Sequence, residues 1–83
     1  MSTLASRTRL NAYRAEIGVA YFRDYPDGQR IFVVMVDAQE HHLRKSEYEI
    51  SIRLQFIVGG SGSIGVDAHQ FDEHYHRVIP RCD

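Results

Sequence analysis

The clearest periodicity in the chain runs from Tyr48 to Val58. Tyr48, Ile50, Ile52, Leu54, Phe56 and Val58 alternate with Glu49, Ser51, Arg53 and Gln55. An alternation of two puts the apolar set on one face of a strand and the polar set on the other, as in a sheet packed on one side only. Ile31 to Val36 is apolar at every position, as expected of a central strand. Upstream, Tyr13, Ala15, Ile17, Val19 and Tyr21 alternate with Arg14, Glu16 and Gly18, which predicts a further half-buried strand. A helix over residues 3–17 competes for the same stretch, because Leu10, Tyr13 and Ile17 also fall at helical spacing. Gly18 and the Val-Ala-Tyr-Phe run after it favour the strand.

The punctuation agrees with this pattern. In Asp24-Tyr25-Pro26-Asp27-Gly28-Gln29, proline presets one turn angle and Asp-Gly supplies the left-handed one. The runs on either side therefore read as an antiparallel hairpin. Residues 37–47 are polar without clear period and read as a connecting loop, with room for a helical turn. Gly59-Gly60-Ser61-Gly62-Ser63 breaks the long strand, and Ile64-Gly65-Val66 offers a short fourth one. Asp67, with Gln70 three residues on, resembles a helix cap, and Phe71, Tyr75, Val78 and Ile79 then form one helical apolar stripe ended by Pro80. The expected fold is α+β: a three- or four-stranded antiparallel sheet with a C-terminal helix packed on one face. It forms a single domain over 1–83, with residues 1–12 a basic arm or short helix, 13–66 the sheet and 67–79 the helix.

Composition narrows the class. With 43% hydrophobic and 25% charged residues in 83, the chain is an ordinary globular domain rather than a disordered tail or a disulfide-built miniprotein. Ten Lys+Arg against eleven Asp+Glu leave a formal charge of -1, so the basic excess of a dedicated nucleic-acid binder is missing. Every basic residue except Lys45 is Arg, a side chain suited to interfaces. Cys82 is the only cysteine, which excludes an internal disulfide and fits a reducing compartment. Met1 to Arg7 has no signal-peptide-like apolar run, and no stretch is long enough to span a bilayer, so a cytoplasmic location is expected and no membrane partner.

Candidate chemistry is sparse. His69, Asp72, Glu73 and His76 would share one stripe of a continuous helix, offering metal ligands at i, i+4 spacing, with His41, His42 or Cys82 to complete a set. A solvated polar helix face explains the same residues. Glu40-His41-His42 resembles the opening of an HNH-type nuclease motif, but the only asparagine, Asn11, lies upstream of it. The glycine-rich 59–65 segment lacks the Gly-Lys-Ser/Thr ending of a phosphate loop. The element order resembles a double-stranded RNA-binding domain, yet Asp67, Asp72 and Glu73 stand where such domains place basic residues.

Surplus aromatics point elsewhere. Phe22, Phe32, Val34 and Val36 lie off the main alternating set, so a sheet covered by one helix leaves an apolar patch on its other face. An N-terminal segment folded over that face is the competing expectation. The function expected is a small non-enzymatic protein-interaction module that binds or blocks a larger complex, or pairs with itself as a homodimer. Its contact residues are Arg7, Arg9, Phe22, Tyr25, Phe32, Val34 and Arg53. A phage-type inhibitor of a host defence system, in the manner of an anti-CRISPR protein, is its concrete form. No cofactor, no metal and no nucleic-acid partner are expected. The alternatives are a metal-binding or small catalytic domain using the histidine and carboxylate stripe, and a binder whose 69–76 histidines respond to pH.

Overall fold

The computed structural model describes residues 4–44 and 47–79. In chain order the elements are helix α1 (Leu4–Arg14), strands β1 (Ala20–Asp24), β2 (Arg30–Arg44), β3 (Glu47–Val58) and β4 (Ser63–Asp67), helix α2 (Ala68–His74) and the two-residue strand β5 (His76–Arg77). The strands form one antiparallel sheet in the order β4-β3-β2-β1-β5. The α+β class holds, and the sheet has five strands rather than three or four.

The β1–β2 turn forms as its residues dictate. Tyr25 N–H donates to the Gln29 carbonyl (2.8 Å), Gly28 N–H to the Tyr25 carbonyl (3.0 Å), and Gly28 takes φ 91°. Asp27 Oδ1 accepts from the Gln29 N–H at 3.0 Å, the local bond that favours aspartate in turns.

Three expectations are corrected. The Tyr13–Tyr21 alternation is not a strand: α1 carries Tyr13, its last turn continues through Ala15 N–H to the Asn11 carbonyl (3.0 Å), and strand β1 begins only at Ala20. Leu10 and Tyr13 pack onto the core at helical spacing, and Gly18, at φ 93°, ends the helical segment while its N–H reaches the Met35 carbonyl (2.8 Å). Residues 37–44 are strand, not loop. The β2–β3 register shifts between Met35 and Asp37, so Val36 is an extra residue and the buried set becomes Val33, Met35 and Ala38. That bulge breaks the period of two in the sequence while keeping one face of the strand on the core.

The third correction concerns the C-terminal helix, which stops at His74 rather than running to residue 79. Asp67 caps it, Oδ1 accepting from Gln70 N–H at 2.7 Å, a contact worth about 1 kcal/mol. Tyr75 is already extended, and His76 and Arg77 pair with Phe22 and Tyr21. Aromatic and β-branched residues from 75 to 79 favour that outcome. Arg77 Nη1 also donates to Glu16 Oε2 at 2.6 Å, tying the new edge strand to the turn after α1. Val78 and Ile79, expected in the apolar stripe, are exposed. Pro80 and Cys82 lie outside the described residues.

The core lies on one side of the sheet. Val33, Met35, Ile52 and Leu54 are fully enclosed, with Tyr21, Ile31, Ala38 and Ile50 around them. Both helices cover this side: α2 contributes Ala68 and Phe71, and α1 contributes Leu10 and Tyr13. Phe71 meets Tyr21 edge-on at 4.8 Å between centroids and Tyr13 at 6.0 Å. Tyr13 Oη donates to Asp72 Oδ2 at 2.5 Å, joining the two helices.

Candidate functional site: the helix-free face of the sheet

Since both helices pack on one side, alternation sends the intervening residues to the other. Among the described residues no element covers that face. At one end lie Phe22, Phe32 and Val34, each half-buried, with Val58 paired to Phe32 and exposed. Phe22 and Phe32 sit opposite each other on β1 and β2, ring centroids 6.4 Å apart. His76 of β5 lies 5.5 Å from Phe22 on the other side. Arg30 places its guanidinium 4.3 Å from the Phe22 ring centroid, over its face. Asp24 holds that guanidinium in a fork, Nε to Oδ1 at 2.5 Å and Nη2 to Oδ2 at 3.0 Å. These hydrogen bonds push the Asp24 carboxyl below its usual range and raise Arg30 above its own. Both groups are open to water, so the pair orients Arg30 more than it stabilises the fold.

The other half of the face is polar. Asp37 and Arg53 pair across β2 and β3 next to the bulge. Asp37 accepts from Ala38 N–H at 2.9 Å and from Gln39 Nε2 at 2.8 Å, while Arg53 Nη1 lies 3.3 Å from Ser63 Oγ. With His41 and Ser51 these residues line a depression of about 120 Å³. The face is thus half aromatic and aliphatic, half charged and amide.

The structure brings together Phe22, Phe32, Val34 and Arg53 of the residues singled out from sequence. It separates the other three. Tyr25 packs against the rim of the core on the helix side, with Arg23 4.6 Å above its ring. Arg7 and Arg9 belong to α1 on the helix side as well, and the side chain of Arg7 lies outside the described part. Arg9 borders a separate hollow with Tyr48, Asp67 and His69. The competing expectation, an N-terminal segment across the open face, does not hold for the described residues, because α1 lies on the core. Arg30 and His76 were missed. Arg30 lies behind the turn in the sequence, and His76 falls in a predicted helix that it does not join.

The proposed metal stripe does not assemble. His69 Nε2 and Glu73 Oε2 lie 3.4 Å apart on α2, but Asp72 is engaged by Tyr13 and His76 sits on β5 against Phe22. Among the described residues no group of three or more His, Cys, Asp or Glu is placed to hold an ion.

A cleft of about 440 Å³ on the helix side is bordered by Tyr13, Glu16, Asp72, Tyr75 and Arg77. Its charged groups are already engaged, Glu16 with Arg77 and Asp72 with Tyr13. The Tyr75 hydroxyl is sealed from solvent without a hydrogen-bond partner among the described residues, so a molecule in the cleft would not reach it.

No family model, no curated protein and no solved structure matches the chain. The fold defines the class, an α+β domain with a five-stranded antiparallel sheet and both helices on one face. No described helix is long and apolar enough to cross a membrane.

Proposed function

We propose that the chain is a non-enzymatic protein-binding module that docks a larger protein on the helix-free face of its sheet. The observation behind this is the row Phe22, Phe32 and Val34, left uncovered by the described elements and flanked by Arg30 and Arg53. Aromatic and arginine side chains around an apolar centre are the composition of interface cores. Mixed charge on the polar half supplies register for a protein surface, whereas a nucleic-acid backbone would call for basic excess. A module that acts by occupying its partner's surface blocks whatever that surface does. An inhibitor of a host defence complex, in the manner of an anti-CRISPR protein, is the concrete version of the proposal.

The test compares capture from bacterial lysate by the native chain, by a Phe22→Ser/Phe32→Ser variant and by a Gln70→Ala control. The expected result is one captured protein, retained by the control and lost by the double variant. Capture that survives the double substitution, or no capture by the native chain, overturns the proposal.

A further inference from the structure

The two edges of the sheet are treated differently. On one side, β5 pairs with Tyr21 and Phe22 and Val78 N–H reaches the Ala20 carbonyl at 3.1 Å. The rest of that edge ends in the Asp24–Arg30 ion pair and the Pro26 turn. Short pairing, charge and proline are the devices that blunt an edge. The β4 edge carries none of them along its middle.

The hydrogen-bond pattern shows which groups β4 leaves open. Phe56 N–H donates to the Gly62 carbonyl at 2.9 Å, so 56/62 is a hydrogen-bonded pair of the antiparallel ladder. Alternation makes Leu54/Ile64 and Ile52/Val66 pairs of the same kind. Ser63, Gly65 and Asp67, opposite Gln55, Arg53 and Ser51, therefore turn their N–H groups away from β3. The carbonyls of Ser63 and Gly65 point the same way, while that of Asp67, the cap residue, begins α2. No described group pairs with these outward donors and acceptors.

The edge is also self-complementary. We infer that two copies of the chain dimerise by pairing β4 with β4, antiparallel about Gly65, into a ten-stranded sheet. In this register the two Gly65 residues exchange two hydrogen bonds at the two-fold axis, and each Asp67 N–H meets the other copy's Ser63 carbonyl. A Cβ added at Gly65 meets nothing within 4 Å, so the sheet face above this residue is unobstructed within the chain. Ile64 of one copy lies beside Val66 of the other, and both are half-buried residues at the rim of the core. Five-residue strands bury little area, so the dimer is weak and concentration-dependent. The inference is independent of what docks on Phe22 and Phe32, since edge and face are separate surfaces.

Sedimentation of the native chain from low micromolar to millimolar concentration should show a monomer–dimer equilibrium. Gly65→Pro should remove the dimer and leave the far-ultraviolet circular dichroism unchanged, because the N–H it deletes has no partner among the described residues. In a Cys82→Ser background, Gly65→Cys should oxidise to a covalent dimer, as the Cα atoms of a hydrogen-bonded pair lie about 5.5 Å apart, within disulfide reach. Gln55→Cys, one strand further in, should not. A native chain that stays monomeric throughout overturns the inference, as does a dimer that persists in Gly65→Pro. So does a dimer lost with Phe32→Ser but kept with Gly65→Pro, which would put the second copy on the sheet face. Lysate capture by Gly65→Pro reads the docking proposal separately.

Discussion

Val33 and Val34 are neighbours on β2 with the same side chain on opposite faces, and they separate the folding side of the sheet from the open side. Val33 is 0% exposed, paired with Tyr21 and Phe56 under the helices. Val33→Ala removes two methyl groups, about 1.6 kcal/mol of transfer free energy. The vacated space, roughly 45 Å³, adds about 1 kcal/mol where the surroundings do not collapse. The sum of about 2.5 kcal/mol is a large part of the stability of a domain this size. At about 2.1 cal/mol/K of unfolding entropy per residue, it lowers Tm by about 14 °C. Val34 pairs with Ala20 and Gln55 and is only half-buried, with water on its outer side. Val34→Ala leaves no enclosed cavity and costs about 0.5–1 kcal/mol in burial and strand preference, or about 3–6 °C. Urea unfolding followed by circular dichroism gives both numbers, provided the slope is unchanged between variants. Equal losses at the two positions would refute the reasoning, because they would mean that the face bearing Phe22 and Phe32 is packed as tightly as the core.

Burial first, then the hydrogen bond and charge of Asp72, push the Tyr13 phenol above its usual value of 10.0. A raised folded value means that this contribution is complete below the unfolded pKa of about 10 and is lost as pH rises through the folded one. Unfolding should therefore become easier at alkaline pH, and Tyr13→Phe should flatten that limb; an unchanged alkaline profile would rule the contact out. Glu16 and Arg77 make a largely buried ion pair, their side chains 12% and 29% exposed. Either substitution to alanine should cost about 1–2 kcal/mol, less than for a fully enclosed pair, by stranding the other charge. Both together should cost less than the sum by about 1 kcal/mol, and additive losses in urea unfolding would show that the two residues do not act on each other.

Residues 48–56 were legible because period-two alternation, one enclosed face and the absence of bulges through the middle of β3 all coincide, whereas the register shift between Phe32 and Val33 leaves Ile57 as an extra residue and turns Val58, expected on the apolar face, to the open side. The Asp24–Gln29 turn and the Asp67 cap were legible for the same reason, since each is decided by residues within four positions. Gaps appeared where a distant partner decided the local structure. Tyr13–Tyr21 satisfies two periodicities, and the choice of helix came from Leu10 and Tyr13 meeting the core. Residues 37–44 look like loop because their strand character depends on β3 and on a bulge at Val36 that shifts the pattern by one. Residues 75–79 look helical, but the edge of β1 and the Glu16 carboxylate draw His76 and Arg77 into β5.

For the open face, the alternation of apolar positions alone makes Phe22, Phe32 and Val34 surplus to a core served by one set of positions. Chemistry of that kind is written residue by residue. Which side the helices would take, and whether α1 would shield the surplus, depended on packing between segments far apart in the chain. Tertiary structure put both helices over Val33 and left Phe32 open, drew Arg30 and His76 beside Phe22, and moved Tyr25 and Arg9 to the opposite side. It also split a stripe of histidines and carboxylates that a longer helix would have kept together. Local pattern carries periodicity and turn angles, whereas the face on which a helix settles is set by the enclosure of side chains that sequence neighbours cannot supply.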